Sequence, residues 1–311
     1  MPSAISGGAR IRTNTPAENS YNALEASSRN ISLRQLRLST GKRINSAADD
    51  VAGYITSRAL GARNGALRSA LNAVGDSLNV TNIAQDSYDN INTLITRIKD
   101  AAATASSGAL GTDEKIALAK AGFRLAQQIQ TVVDSTVFGG RQLIDGSFSG
   151  DFVIGFNAAN SLLTISVDLT TVSSAPNFNV DGQFNVSVSN NSNFAGVTGL
   201  NLNSLDAVST TDLGVFANAN IATTLSSLSS ALNNVNKVAS YLGGLTNRLT
   251  SQEEALKSQI TNYNAAISRI EDTDVALEQL ELIKSQFLQQ TSITSLAQAN
   301  QNPQQFLQLL R

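Results

Sequence analysis

Apolar side chains recur at steps of three and four residues over two long stretches of the chain. In the first, Leu67, Leu71, Val74 and Leu78 are followed by Tyr88, Ile91, Ile95 and Ile98, with no proline between Ala17 and Ala175. This spacing predicts one amphipathic helix from about Ala47 to Ser106. At a rise of about 1.5 Å per residue it would be roughly 90 Å long, too long to bury its stripe inside a compact domain. Gly108 and Gly111 break it, and a shorter helix follows through Ile116, Phe123, Ala126, Ile129 and Val133, with Thr112 as the expected N-cap. In the second stretch Leu242, Leu245, Leu249, Leu256, Ile260, Tyr263, Ile267, Ile270, Leu277 and Leu280 follow a heptad-like spacing, which predicts helices packed side by side as a coiled coil.

Between the two stretches the period changes to two. Phe152-Val-Ile-Gly-Phe156, a turn at Asn157-Ala-Ala-Asn160, and Leu163, Ile165, Val167 and Leu169 predict a hairpin with one buried face. Phe178 and Val180, a turn at Asp181-Gly182, then Phe184, Val186 and Val188 predict another, and Asn190-Asn-Ser-Asn-Phe194 reads as an exposed loop. The fold class expected is therefore mainly α: long paired N- and C-terminal helices forming a coiled-coil hairpin, with a small β-hairpin-rich region in the middle of the chain.

The two ends carry apolar stripes of their own. Residues 271–311 place Leu277, Leu280, Leu282, Ile283, Phe287, Leu288, Ile293, Leu296, Phe306, Leu307, Leu309 and Leu310 among Gln, Ser, Thr and Asn, and residues 17–38 carry Tyr21, Leu24, Ile31, Leu33 and Leu36. An isolated helix of this kind is marginal in water, so the stripe needs a partner, either the N-terminal segment of the same chain or another chain.

Composition narrows the function. The 311 residues include no Cys, His or Trp, which excludes a disulfide framework, a thiol nucleophile, a Ser–His–Asp triad and the usual zinc site; no cofactor is expected and an enzyme is the weakest reading. Twenty-two Lys and Arg against 24 Asp and Glu leave no concentrated positive face for nucleic acid, and no segment is apolar enough for membrane insertion. Charged residues make up 15%, against about 25% in an ordinary soluble domain, a surface suited to close packing of like on like or to a low-charge extracellular protein. Charge also comes in blocks: ten basic and four acidic side chains lie between Met1 and Arg68, and from Gln142 to Asn236 there are six Asp and no Lys or Arg.

The run Leu38-Ser-Thr-Gly41-Lys-Arg43-Ile-Asn45-Ser-Ala-Ala-Asp49-Asp50-Val-Ala-Gly53 resembles the N-terminal signature of bacterial flagellins. Ser268-Arg269-Ile-Glu271-Asp272-Thr-Asp274, then Ser295-Leu-Ala-Gln-Ala-Asn300-Gln-Asn-Pro303 and Leu309-Leu-Arg311, resemble their C-terminal signature, and Thr136-Val-Phe138-Gly-Gly140 and Leu143-Ile-Asp-Gly146-Ser-Phe148 extend the similarity over all but about residues 173–215.

This resemblance implies a structural subunit of the flagellar filament, secreted and extracellular, that polymerises with itself. It divides the chain into an N-terminal inner-tube helix and spoke (1–46), an outer-tube helical domain with a β-hairpin (47–172), a short solvent-facing variable region (173–220), an outer-tube return helix (221–270) and a C-terminal inner-tube helix (271–311). Inner-tube contacts between subunits would fall to Ile31, Leu36, Leu277, Leu280, Phe287, Leu296, Leu307 and Leu310, and the spoke to Arg43, Asn45, Asp49, Asp50, Arg269, Glu271 and Asp272. On residue chemistry alone Arg43, Asp49 and Asp50 are equally a solvated loop, while Glu271, Asp272 and Asp274 suit capping and spoke contacts better than a cation. The implied partners are the flagellar cap, the hook-associated junction proteins, a flagellin export chaperone and the flagellar type III export apparatus. Arg97 matches the patch read by the host Toll-like receptor for flagellin, but Ala101 replaces a large apolar residue there, which predicts weak recognition. The chain departs from the pattern in carrying about ten residues before Ile11, with Pro16 close behind, and it has no histidines for the zinc protease that some flagellins carry. The rival readings are a hook–filament junction protein and a secreted coiled-coil stalk or adhesin.

Overall fold

The computed structural model describes residues 13–146, 148–156, 162–169, 184, 186 and 193–309. Its long elements are helices α1 (Thr15–Thr40), α2 (Val51–Ala105), α3 (Thr112–Ser135), α4 (Ile221–Glu271) and α5 (Val275–Leu309). Among the described residues six short strands form three antiparallel pairs: β1 (Val137–Phe138) with β2 (Arg141–Gln142), β3 (Ser149–Phe156) with β4 (Leu162–Asp168), and β5 (Asn193–Phe194) with β6 (Val197–Thr198). The chain is thus mainly helical, with its hairpins in the middle, and none of the described helices is long and apolar enough to cross a membrane. It divides into two units, Gly65–Ile260 and the combination of Met1–Asn64 with Thr261–Arg311.

In the unit Gly65–Ile260 the three helices bury side chains with a seven-residue repeat. In α2 the buried positions are Leu67, Val74, Thr81, Tyr88, Ile95 and Ala102, interleaved with Ala70, Ser77, Ala84, Ile91, Ile98 and Ala105. In α4 they are Ile221, Leu228, Val235, Leu242, Leu249 and Leu256, interleaved with Thr224, Ala231, Val238 and Leu245. Asn92 Nδ2 donates to Asn236 Oδ1 between these two antiparallel helices. α3 repeats the pattern with Lys115, Gly122 and Ile129 and with Ala119, Ala126 and Val133. A Cβ at Gly122 would stand 3.2 Å from Cζ of the fully buried Phe216, so the missing side chain lets the 3₁₀ turn Gly214–Phe216 dock against α3.

Four expectations need correction. α2 begins at Val51, not Ala47, because Asp50 Oδ1 accepts from Gly53 N (2.9 Å) and stops the helix there, which makes α2 about 80 Å long at 55 residues. Thr112 is the first helical residue of α3 and Gly111 is its N-cap, with no side-chain cap bond. In β4 Ile165 and Val167 point inward as expected, but Leu163, opposite Gly155 past the irregularity in β3, is exposed. Asn190–Phe194 is not an exposed loop where it is described: Asn193–Phe194 is a strand, and Phe194 is buried edge-on against Phe184 with ring centroids 5.5 Å apart. Within 173–220, the described Leu200, Leu202, Leu205 and Phe216 are buried. Of the second expected hairpin only Phe184 and Val186, both buried, lie within the described residues, and the turn at 157–160 lies outside them.

Candidate functional site

The residues of both signatures meet in the unit formed by Met1–Asn64 and Thr261–Arg311. α1 opens with Asn14, whose side chain accepts from Ala17 N (3.2 Å), and closes at Gly41, which adopts the left-handed conformation at φ 70° that a Cβ would disfavour. α4 ends at Glu271 and α5 restarts after Asp274, whose Oδ1 accepts from Ala276 N (2.9 Å) and Leu277 N (3.1 Å). The two interruptions face each other. Arg43 N donates to Glu271 O (2.6 Å), Thr273 N donates to Gly41 O (3.0 Å), and Lys42 and Asp272 form an antiparallel bridge. Lys42 Nζ pairs with Glu271 Oε1 at 2.8 Å, while Arg43 Nη2 donates to Ile270 O at 2.8 Å and lies 3.7 Å from Asp50 Oδ2. Arg43, Asp50, Glu271 and Asp272 are therefore joined within one chain, with Arg43 and Asp49 still exposed to solvent.

The loop itself is pinned from below by Ile44, 2% exposed, and from within by Asp49. Asp49 Oδ2 accepts from Ser46 N (2.8 Å), Asn45 N (3.0 Å) and Ser46 Oγ (3.1 Å), and the two backbone bonds hold its carboxyl below the usual range. Asn45 Nδ2 donates to Lys42 O (3.0 Å). Arg269 is exposed in the last turn of α4, where a cation suits the helix dipole, and a further clasp, Asn64 Nδ2 to Asn264 Oδ1 (2.5 Å), ties α2 to α4 in the same unit.

α1 and α5 pack antiparallel. Asn14 Nδ2 donates to Ala299 O (2.8 Å), Ser20 Oγ meets Ser295 Oγ (3.1 Å), Ser27 Oγ donates to Ser285 O (2.6 Å) and Arg34 Nη1 pairs with Glu278 Oε2 (2.8 Å). A row of buried or half-buried positions steps alternately by three and four, as in a coiled coil: Ala17, Ser20, Leu24, Ser27, Ile31, Arg34 and Leu38 on α1, with Leu33 and Arg37 half-buried beside it. On α5 they are Glu278, Leu282, Ser285, Gln289, Ser292, Leu296 and Ala299. More than half of this seam is polar or small. Apart from Leu282 and Leu296, the large apolar residues of α5 whose side chains are described lie off the seam: Leu277 is 59% exposed, Leu280 60%, Ile283 58% and Phe287 68%, with Leu288 and Ile293 also exposed. This reverses the usual amphipathic rule and leaves an apolar strip about 15 Å long, from Leu277 to Phe287, exposed among the described residues.

The inner-tube residues expected from sequence thus divide. Ile31 and Leu296 enter the seam, whereas Leu36, Leu277, Leu280 and Phe287 face outward. Leu307 lies on α5 with its side chain outside the described set, and Leu310 lies outside it altogether. Arg97 is exposed on α2. The pattern missed Glu278, 5% exposed, which binds Arg34 and Arg37 (3.3 Å to Nη1) and accepts from Thr273 Oγ1 at 3.3 Å. Burial would raise the Glu278 pKa, but the two guanidiniums outweigh it and hold the carboxyl below its usual value. The available signal was spacing: Arg34 follows Ser27 and Ile31 at a seam position, where a charge demands a buried partner.

The family model of the bacterial flagellin N-terminal helical region matches residues 11–149, and that of the C-terminal helical region matches residues 225–310. Among relatives, a flagellin of Halalkalibacterium halodurans is 29% identical over 97% of this chain and 99% of its own length. A flagellin of Bacillus subtilis is 29% identical over 97% and 100%, and flagellin A of Vibrio cholerae 26% over 97% and 99%. The crystal structure of Bacillus cereus flagellin aligns with a TM-score of 0.41 at 16% identity, over 62% of this chain and 93% of that one.

Proposed function

The chain belongs to the bacterial flagellin family and is a structural subunit of the flagellar filament, and from that premise we propose that it polymerises through the outward face of α5. The observation that carries this reading is the apolar strip Leu277, Leu280, Ile283 and Phe287, turned away from α1. Covering each such side chain with a neighbouring copy contributes about 1–2 kcal/mol, given its present exposure. Summed along the strip, this helps to offset the ordering of the terminal helices at about 1–2 kcal/mol per residue, most of which their own seam and joint must meet. Polymerisation and the ordering of the ends are then one coupled process.

In this reading the joint at residues 41–50 and 270–274 is the spoke that holds the terminal pair, and Arg97 supports only weak recognition by the host Toll-like receptor. The subunit leaves the cell unfolded through the flagellar type III export apparatus with an export chaperone, and is added beneath the cap onto filaments that begin at the junction proteins. Seeded polymerisation of the full chain against a chain ending at Ile270, followed by sedimentation and negative-stain microscopy, tests the proposal. Filaments from the full chain alone support it; equal growth from both refutes it.

A further inference from the structure

We infer that the Asn64–Gly65 bond is a site of spontaneous deamidation, shut by the α2–α4 clasp in an assembled subunit and open in a chain left unassembled. The inference rests on the reading above that assembly and the ordering of the ends are one process.

Asn64–Gly65 is the one Asn-Gly pair in the sequence. A glycine after asparagine favours ring closure, because no Cβ hinders the approach of its backbone nitrogen. Gly65 N attacks Asn64 Cγ and gives up its proton, the side-chain nitrogen leaves as ammonia, and a five-membered succinimide remains. Water then opens the ring at either carbonyl. One opening gives aspartate; the other gives isoaspartate, with one more methylene in the main chain. The whole reaction consumes one water, releases one ammonia and needs no oxidant, reductant or enzyme.

The closed clasp opposes each step. The pair lies inside α2, where the Gly65 N–H is committed to the carbonyl four residues earlier and a ψ of about −42° keeps that nitrogen out of line with Asn64 Cγ. Asn64 is 6% exposed, which restricts water, and its Nδ2 donates to Asn264 Oδ1 at 2.5 Å, which fixes the side chain. Its Oδ1, however, is buried without a partner, so the clasp has a single hydrogen bond and a second polar atom that works against closure.

Little else holds this stretch shut. From Val51 to Ala66 α2 buries only Ser57 and Asn64, both polar, and α4 buries no side chain beyond Leu256. The stretch also carries Gly53, Gly61 and Gly65, and a helix of about 15 residues is marginal in water on its own. With the terminal helices unordered it opens, and the reactive pair opens with it. A chain that has reacted closes the clasp poorly: isoaspartate lengthens the main chain inside the helix, and aspartate brings a charge to a position now buried. Aged chains are thereby withheld from assembly.

Full-length protein is seeded, and three samples are then held at the same mildly alkaline pH: sedimented filaments, dilute unassembled chain, and chain unfolded in guanidinium. Pepsin in acid, which halts the reaction, releases peptides spanning residues 61–67 for mass spectrometry, and an isoaspartyl methyltransferase reports isoaspartate. The dilute chain should lose the Asn64 amide within about threefold of the unfolded rate, and filaments roughly tenfold or more slowly than either. Gly65→Ala, whose Cβ would meet nothing within 4 Å, should slow the loss in the dilute chain roughly tenfold. When partly aged protein is seeded again, isoaspartate should be about fivefold enriched in the supernatant over the pellet. Loss in the dilute chain as slow as in filaments, loss in filaments as fast as in the unfolded chain, undiminished loss in Gly65→Ala, or equal isoaspartate in pellet and supernatant would each overturn the inference. A pellet without filaments would count against the proposed function instead, and the dilute and unfolded samples would still decide whether the site is open.

Discussion

Alanine at Gly53 sets two effects of opposite sign against each other. Replacing a helical glycine by alanine gains up to about 1 kcal/mol from backbone entropy, and Gly53 lies in the first turn of α2. Against this, the new Cβ would stand 2.6 Å from Asp50 Oδ2 and 2.6 Å from Ile44 Cδ1, where unstrained contact starts at 3.4 Å, so each neighbour must retreat by about 0.8 Å. Asp50 cannot retreat without stretching its 2.9 Å bond to Gly53 N, a cap worth about 0.5–2 kcal/mol. Ile44 is 2% exposed and has no free space, which adds about 1–3 kcal/mol of overpacking. Packing therefore outweighs propensity, with a net loss of about 1–3 kcal/mol confined to the joint. A two-unit protein has no single unfolding transition, so the suitable readout is hydrogen exchange of peptides covering residues 42–58. Exchange there should quicken roughly 5- to 100-fold, at 1.4 kcal/mol per tenfold, while peptides in α3 stay unchanged. Unchanged or slower exchange at the joint would refute the close approach of Ile44, Asp50 and Gly53.

Three further outcomes follow from the same contacts. Because the Glu278 carboxyl is held below its ordinary value of 4.5, its ion pairs stabilise the terminal helices above that pH and are lost as pH falls through the lower folded value; Glu278→Gln should flatten this part of an acid titration followed by circular dichroism. Phe216→Ala empties a fully buried site against Gly122 and should cost about 3–5 kcal/mol, seen as faster exchange in α3. Thr112→Ala should change local stability by less than about 0.5 kcal/mol, measured by hydrogen exchange of peptides in α3, because Gly111 and not Thr112 is the cap.

The long helices were legible because burial repeats every seven residues from Leu67 to Ala102 in α2 and from Ile221 to Leu256 in α4. The hairpin of β3 and β4 was legible from its period of two, up to the register shift between Val153 and Gly155, beyond which Leu163 is exposed. The burial of Phe194 was hidden by its neighbours: Asn and Ser on its N-terminal side read as solvent, and only contact with Phe184, ten residues away, reverses that. In α5 the sequence shows many apolar residues but not which face meets α1. Leu282 and Leu296 turn inward while Leu280 and Phe287 turn outward, a choice made by Arg34 seeking Glu278 and by small residues allowing close approach. Glu278 escaped notice because a lone glutamate in a polar helix ordinarily belongs to the surface.

The most direct test of the account is the critical concentration for filament growth of the full-length protein against Leu280→Gln/Phe287→Gln. Both residues are exposed in the single chain, at 60% and 68%, so circular dichroism should show no loss of folding. Covering those exposed fractions on assembly is worth about 2–4 kcal/mol together, which predicts a critical concentration raised roughly 30- to 1000-fold. An unchanged critical concentration in the folded double variant would contradict the claim that the outward face of α5 builds the filament.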